Sequence, residues 1–330
     1  MGDFDNRYVA LKKESAYGTP SGSYVFGEVD DESIRHTFDL LTREDMSRYA
    51  SSKSVTGKEV SEGSVNMAMM NDNFTGNILM GIMGTDTVGS ISGGLYPHTF
   101  TEAGTLPSYT FLVSREDKEH LYKGCVIDSL SVSAALNEYA SVSFNMMGKA
   151  EDIASLAAAG TTSPSFADNL PALYFSNAKV FFNADSTASD AVADISFDIN
   201  LNRDGDNACA IGSTTYVRAP PVQRRVVTGS ITFNKVVHST SVSEPTYTQL
   251  TTADGHELAG SGVELKVQFG DDTTADLLTF NFYKIRFEAA DANVSGRDTN
   301  TMTVNFVGLF SPDDSKVMDI VLRSTQSGAY

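Results

Sequence analysis

Apolar and polar residues alternate along most of this chain, and this period of two constrains its fold more than any other feature. In the segment GCVIDSLSVSAA, Leu130 and Val132 lie opposite Ser129, Ser131 and Ser133. Alternation of this kind is typical of a strand with one buried and one solvated face. It recurs in SVSFNMMG, DISFDINL, GSITFNKV, GVELKVQFG, LLTFNFYKIRF, MTVNFVG and KVMDIVLR. The sequence therefore predicts an all-β fold.

Local patterns also predict one hairpin and two short flanking elements. The strand containing Val132 and the strand SVSFNMMG are joined by a polar turn near Asn137, which predicts an antiparallel hairpin. NFTGNILMGIMG places Phe74, Ile78 and Ile82 on one face of a helix, and REDKEHLYKG has the composition of a helical turn. Because both segments are short, we expect them to lie against sheets.

Three short strings recur in the same order in the two halves of the chain. They are SFNMMG at 143–148 with TVNFVG at 303–308, GSVNM at 63–67 with GSITF at 229–233, and, more weakly, YTFLV at 109–113 with VELKVQF at 263–269. Repetition in one order, at offsets of about 155 to 166 residues, indicates duplication. Each copy is predicted to be a β-sandwich or partly closed barrel with a short flanking helix. Two unrelated β-domains are the alternative.

A segment rich in small residues divides the strand-rich sequence. Residues 151–171 read EDIASLAAAGTTSPSFADNLP and end in proline-marked turns, as linkers do. We therefore predict a first β-domain at 1–150, a linker at 151–171 and a second β-domain at 172–330.

Residues 27–57 are polar and weakly patterned, and this segment is too long for a loop without a function in a compact domain. They are predicted to form an extended arm.

The charge of the chain limits its partners. With 42 acidic and 24 basic residues, the formal net charge is −18, opposite in sign to a surface that wraps nucleic-acid phosphates. The N-terminal sequence MGDFDNRYVALKKESAYGTP contains no apolar leader, and no apolar run is long enough to cross a bilayer. We expect a soluble protein that is made in the cytoplasm and does not contact a membrane.

The sequence contains no motif that would carry catalysis or bind a cofactor. The five histidines lie outside metal-ligand spacing of one another and of cysteine, and no phosphate-binding glycine loop or nucleophile motif occurs. We predict no catalytic residue, no cofactor and no metal site. An enzyme whose site is assembled from dispersed residues is an alternative that no sequence feature favours.

Two local features have competing interpretations. Cys125 and Cys209 lie in strand-like sequence without CxxC spacing, so they are predicted to be small buried residues, with a disulfide or a metal pair as the alternative. Asp204 and Asp206 flank a glycine in NRDGDNA. This loop is predicted to be a polar turn rather than a cation site, because the carboxylate series and distal glutamate of a calcium loop are missing.

The segment VRAPPVQRRVV carries the strongest basic cluster of this acidic chain. Its charges belong to Arg218, Arg224 and Arg225. A basic patch on an acidic protein suits docking against an acidic loop of a neighbouring subunit. A solvated loop is the alternative interpretation.

Four stretches, read in order, resemble the tail-tube (major tail) proteins of long-tailed phages and related viruses, in the group that carries tandem tube domains. They are LKKESAYGTP, HTFTEAGTLPSYTF at 98–111, YKGCVIDSLSVSAALNEYASVSFNMMGKA at 122–150, and ISFDINLNRDGDNACAIG with RRVVTGSITF at 224–233. The hairpin that begins Y-x-G-C and ends in GK is the most specific of them. The resemblance covers most of the chain.

The resemblance implies two tandem tail-tube β-domains and a structural role in the virion. Subunits of this family form stacked rings through which double-stranded DNA passes as cargo without being bound. The implied partners are further copies of the chain and the tape-measure and tail-terminator proteins, after synthesis in the host cytoplasm. The arm at 27–57 is then expected to reach an adjacent ring. With two tube domains per chain, a trimeric ring is favoured over a hexamer.

We expect the closing hairpins of the two halves, around 126–146 and 280–307, to line the bore, with neighbouring domains continuing one sheet around it. These candidate bore strands are marked by Val126, Leu130, Val132, Val142, Phe144, Phe280, Phe282, Val304 and Phe306.

Two other functions remain open. One is a β-rich binding module such as an adhesin or receptor-binding protein, although the chain has no tryptophan for sugar stacking. The other is a tail hub or distal-tail protein of the same fold.

Overall fold

A computed structural model describes the chain at residues 7–51, 53–115, 117–156, 166, 171–234, 263–270, 277–288 and 301–330. Strands dominate these residues, and the predicted all-β fold is confirmed. Part of the predicted linker and the second-half segment at 235–262 lie outside the described residues. None of the helices in the described part of the chain has the length and apolar character needed to span a membrane.

The described chain contains nineteen strands and one α-helix. The first-half elements are β1 (Tyr8–Ala16), β2 (Thr19–Pro20), β3 (Val25–Gly27), β4 (Asp31–Glu32), β5 (Arg35–Arg43), β6 (Lys53–Ala68), α1 (Asn73–Met83), β7 (Gly84–Val88), β8 (Tyr96–Glu102), β9 (Tyr109–Arg115), β10 (Lys118–Ala134), β11 (Ser141–Gly148) and β12 (Ala150–Ser155). They are followed by β13 (Ala178–Phe182), β14 (Val192–Asn200), β15 (Val226–Phe233), β16 (Val263–Gly270), β17 (Leu277–Phe287), β18 (Met302–Gly308) and β19 (Met318–Ser324).

Helix α1 forms where the apolar spacing predicts it. The Asp72 side chain accepts a hydrogen bond from the Thr75 amide at 2.8 Å and caps the first turn. Gly84, at φ 100°, ends the helix in the left-handed conformation that favours glycine. The helical turn predicted for REDKEHLYKG is wrong, because this segment forms the end of β9 and the start of the long strand β10.

Strands pair in the same order in both halves of the chain. In the first half, β10 joins the ladder β1–β9–β10–β12 to the ladder β5–β6–β11–β10. In the second half, β17 joins β13–β16–β17–β19 to β14–β15–β18–β17. The three repeated strings fall on the equivalent pairs β11 and β18, β6 and β15, and β9 and β16. This shared connectivity supports the duplication that the sequence indicates.

The two halves are joined by continuous strand pairing. Strand β10 pairs with β14 over Ser129–Ala134 and Ile195–Asn200, and β8 pairs with β19. The predicted division at 151–171 is therefore not a break in the sheet, and the domain boundaries stay a prediction. Within the described residues, no succession of strand pairings returns to its starting strand, so the sheet is open.

Candidate functional site

A polar surface extends across the long ladder that joins the two halves. The ladder runs β4/β5–β6–β11–β10–β14–β15–β18–β17, in which β4 and β5 successively occupy one edge position. We call the outward side of these eight positions the polar face. Its polar members are Asp31, Ser33, Arg35, Glu62, Ser64, Asn66, Ser129, Ser131, Ser133, Ser141, Ser143, Asn145, Asp194, Ser196, Asp198, Asn200, Thr228, Ser230, Thr232, Arg286, Glu288, Thr303 and Asn305. Three partly buried apolar residues, Met147, Val226 and Val307, share this side.

Side chains on the polar face bond to one another across the strands. Ser131 donates to Asp198 across the joint between the two halves. Further bonds link Asn66 to Asp31 at 2.7 Å, Ser133 to Ser141 at 2.7 Å, Asn145 to Ser129 at 2.8 Å, Ser196 to Ser230 at 2.9 Å and Thr232 to Thr303 at 3.0 Å. Short hydroxyl and amide groups paired in this way give the sheet a predominantly hydrophilic surface.

The polar face carries more negative than positive charge. Its carboxylates belong to Asp31, Glu62, Asp194, Asp198 and Glu288, and its only guanidinium groups are those of Arg35 and Arg286. Arg35 forms a 3.4 Å ion pair with Glu62, and both side chains are largely exposed. A surface with few and partly paired cations offers phosphates no cluster of partners.

The apolar residues that mark the predicted bore strands are all buried, and all except Val126 belong to the main hydrophobic core. They are Val126, Leu130, Val132, Val142, Phe144, Phe280, Phe282, Val304 and Phe306. The Phe197 ring, for example, packs edge-on against Phe280 and Phe282, with centroids 4.9 and 5.1 Å away. The strands themselves contribute to the polar face through their alternate residues. A bore lined by these strands would therefore expose their serines, threonines and asparagines.

The three arginines of the basic cluster have different environments. Arg225 is largely buried, donates to the carbonyl of Ile82 at 2.9 Å and forms a 3.1 Å ion pair with Glu102. Arg218 is exposed and donates twice to the carbonyl of Asn207, at 2.9 and 2.7 Å. Arg224 is exposed. The structure thus uses Arg225 within the chain, and a docking role for the cluster stays a prediction.

Arg203 is a partly buried cation that the sequence pattern did not single out. Its Nε donates to the carbonyl of Ile127 and its Nη1 to that of Pro220, both at 2.7 Å. Burial lowers the pKa of this guanidinium to about 10. Because the first contact lies in β10 and the second in the β14–β15 loop, Arg203 fastens this loop to the first half.

The acidic loop between β14 and β15 is organised as a turn. The Asp204 carboxylate accepts hydrogen bonds from the amides of Asp206 and Asn207 and from the side chains of Asn207 and Gln223. These bonds, that of the Asn207 amide first, lower the pKa of Asp204. Asp206 pairs with Lys58 at 2.8 Å. Across the described residues, no cluster of histidine, cysteine and carboxylate side chains has the arrangement of a metal site.

One constellation has the composition of a hydrolase triad. Ser61 Oγ lies 3.0 Å from His36 Nδ1, and His36 Nε2 lies 3.6 Å from a Glu59 carboxylate oxygen. The Ser61 side chain is fully buried, however. A nucleophile must reach its substrate, so this hydroxyl is not placed for attack.

The predicted arm is a β-hairpin with exposed apolar side chains. Strands β5 and β6 pair from Arg35 with Glu62 to Arg43 with Lys53. Large apolar groups are exposed along the hairpin and at its tip: Phe38, Leu40, Leu41, Met46, Tyr49 and Val55. An exposed set of this size is typical of a surface that another molecule covers.

Comparison with known protein families gives one match that spans most of the chain. Residues 5–308 match the family described as phage tail tube protein. The comparison with curated proteins returned no relative. The all-β fold, the repeated strand order and the resemblance of four sequence stretches agree with this match. The chain belongs to the phage tail tube protein family.

Proposed function

We propose that the chain is the subunit that assembles into the tail tube, with its polar face turned toward the bore through which the genome passes. Family membership identifies a structural protein of the virion tail. The observation that carries the finer proposal is the polar face, which is continuous over eight strand positions and poor in cations. Such a wall hydrates a passing polyanion without holding it.

The length of the ladder favours three chains per ring. Strands lie about 4.8 Å apart, so eight strand positions span about 38 Å and three chains give a circumference of about 115 Å. For untilted strands this corresponds to a backbone diameter of about 37 Å, and inward side chains reduce the free diameter of the bore by about 10 Å. The remaining bore is wide enough for duplex DNA. A ring of two chains would have a bore of only about 14 Å, which is too narrow, and strand tilt widens either ring. Three chains with two units each form a pseudo-sixfold ring.

The strand pairing that joins the two halves of the chain suggests how one chain pairs with the next. Within the chain, β14 begins the second unit by pairing with β10 of the first. The equivalent edge of the first unit, formed by β4 and β5, has no strand on its outer side within the described residues. Placing a neighbouring copy there would continue the sheet around the bore and remove an open edge.

Assembly of the purified chain tests this proposal. We expect rings and stacked tubes with a central hole in negative-stain images as protein concentration rises, together with fast-sedimenting material. Persistent monomers would contradict it and favour the binding-module alternative. Single rings that never stack would favour a hub or distal-tail role.

Thiol labelling tests which face lines the bore. In a Cys209→Ser background, Ser131→Cys places a thiol on the polar face, and Ile153→Cys places an exposed one on β12 in the other ladder. In assembled tubes, a small maleimide should label both positions, whereas a maleimide on a polymer wider than the bore should label only Ile153→Cys. Equal polymer labelling of the two variants would contradict the proposed orientation.

A further inference from the structure

At Ile34, in the two-residue extended link between β4 and β5, the outer edge of the sheet is covered by side chains instead of a strand. The Ser33 amide donates to the Ser64 carbonyl at 2.9 Å, so Ser33 faces β6. Backbone groups of successive strand residues point to opposite sides, so those of Ile34 point to the outer edge. There the Glu32 carboxylate accepts from the Ile34 amide at 2.8 Å, and Arg115 donates to the Ile34 carbonyl.

Glu32 and Arg115 also bond to each other. The guanidinium donates through Nε to one carboxylate oxygen at 3.0 Å and through Nη2 to the other at 2.9 Å. Tyr122 completes the arrangement, since its hydroxyl donates to the Ile34 carbonyl at 3.2 Å and accepts from Arg115 at 3.1 Å. Both backbone groups of Ile34 therefore have partners before any neighbour arrives. We call Glu32 and Arg115 the edge latch.

The repeat identifies the residue in the second half that corresponds to Ile34. Ile34 lies between the pairs Glu32–Val65 and Arg35–Glu62, which places it opposite Gly63 on β6, where an added Cβ would be 2.5 Å from the Ile34 Cα. Phe197 lies opposite Gly229 on β15, the glycine that the GSITF string aligns with Gly63. Both Ile34 and Phe197 are buried. The backbone of Phe197, however, is paired with Val132 of β10. The edge at Phe197 is therefore covered by a strand, whereas the equivalent edge at Ile34 is covered by the latch.

We propose that the edge latch covers the assembly edge of the free subunit and opens when a second copy of the chain pairs with the strand at Ile34. The inference rests on the proposed function, because it names the contact by which one subunit joins the next. The expected register is that of Phe197 with Val132. Both side chains are partly exposed, so water can take over their hydrogen bonds when a strand replaces the latch at Ile34. While closed, it hides an edge on which chains would otherwise aggregate.

Two features of the surroundings fit a latch that opens. An open cleft of about 710 Å³ lies beside it, lined in part by Asp31, Glu32, Ser114 and Arg115. Arg115 is the last residue of β9, and it takes part in the latch through its side chain alone, so opening the latch breaks no strand pairing. A second copy is the occupant that the repeat specifies, because the chain already makes the same joint internally.

Hydrogen exchange of the wild-type chain, free and assembled, tests the latch. In assembled tubes, exchange at residues 32–37 should slow by about 100-fold or more, since ladder bonds replace side-chain bonds. Strand β14 is the internal control, and its exchange should be slow in both states. Tubes in which residues 32–37 exchange as fast as in the free subunit would overturn the latch and leave the tube function standing. Absence of any assembly would overturn the proposed function itself.

Variants test the gating role. Glu32→Gln and Arg115→Gln each break the latch, and both should lower the protein concentration at which tubes first form, by about tenfold for a contact worth roughly 1.4 kcal/mol. Lys123→Gln is the control, because it removes a partly exposed pair with Asp152 from the other ladder, away from Ile34 and from the edge formed by β4 and β5. Wild-type thresholds in both latch variants would contradict gating.

Discussion

Single buried polar residues hold the strands of this chain in register. Glu14 in β1 is almost fully buried, and its carboxylate accepts four hydrogen bonds. The donors are the hydroxyls of Ser108 and Thr110 at 2.6 and 2.7 Å and the amides of Gly18 and Gly124 at 2.7 and 2.8 Å. A buried carboxylate is tolerated when donors surround it in this way. Glu14 thus ties β1 to the β9–β10 region.

Replacing Glu14 with glutamine should lower the free energy of unfolding by about 2–3 kcal/mol, because an amide turns two donor hydrogens toward donor groups. Urea denaturation monitored by circular dichroism measures the loss. Glu138→Gln, at an exposed position, is the control and should change stability by less than about 0.5 kcal/mol. Equal effects of the two substitutions would show that the hydrogen bonds to Glu14 contribute little.

The two cysteines should differ in reactivity. Both are free, and Cys125 is fully buried as predicted, whereas the prediction of a buried Cys209 is wrong because this residue is partly exposed in the β14–β15 loop. Burial raises the pKa of the Cys125 thiol, so its thiolate is scarce at pH 8. A thiol assay of the folded chain should detect one reactive group, and the same assay in urea should detect two. Two reactive thiols in the folded chain would contradict the burial of Cys125.

At the scale of elements, helix α1 depends on close packing against Tyr330. A Cβ added at Gly76 would lie 2.1 Å from the Tyr330 ring, whose hydroxyl bonds to Ser324 and Asn73. Gly76→Ala should lower the free energy of unfolding by about 1–3 kcal/mol through overpacking. In a Tyr330→Ala background, the same change should be neutral or stabilise by up to about 1 kcal/mol, because alanine favours helices. Equal losses in both backgrounds, in urea denaturation, would contradict this contact.

Sequence periodicity was sufficient to predict the elements that depend on residues close together in sequence. The hairpin at Asn137, the helix α1 and the strands carrying the repeated strings follow from short-range periodicity. REDKEHLYKG was misassigned because its charged residues favour a helix in isolation, whereas β9 and β12 pair with the segment on both sides and impose a strand. The contacts of Glu14 and of Arg203 involve residues far apart in sequence, and no local pattern marks them.

Alternation also left one aspect of the candidate site undetermined. It separated Val132 and Phe144 from Ser131 and Ser143, but it did not say which set faces a core and which faces a bore. The structure buries the apolar set and exposes the hydroxyl set. The lining of a bore forms only when subunits assemble, so the alternation within one subunit does not specify it.

At the scale of the whole molecule, the low density of cations on the polar face should determine whether DNA passes through the tube or is retained in it. Ser131→Lys adds a positive charge at the joint of the two halves, beside Asp198. We expect tubes of this variant to retain DNA at about 50 mM salt and release it at about 200 mM, because phosphate contacts weaken steeply with salt. Co-sedimentation of DNA with tubes measures this. Ile153→Lys, on the other ladder, is the control, and equal retention by both variants would argue against a bore on the polar face.

The most direct test of the account is a cryo-electron microscopy reconstruction of tubes assembled from the purified chain. The account predicts three chains per ring, two similar units per chain, a β-sheet continuous around the bore and the polar face turned inward. Six chains per ring, or a bore lined by any other surface, would contradict it.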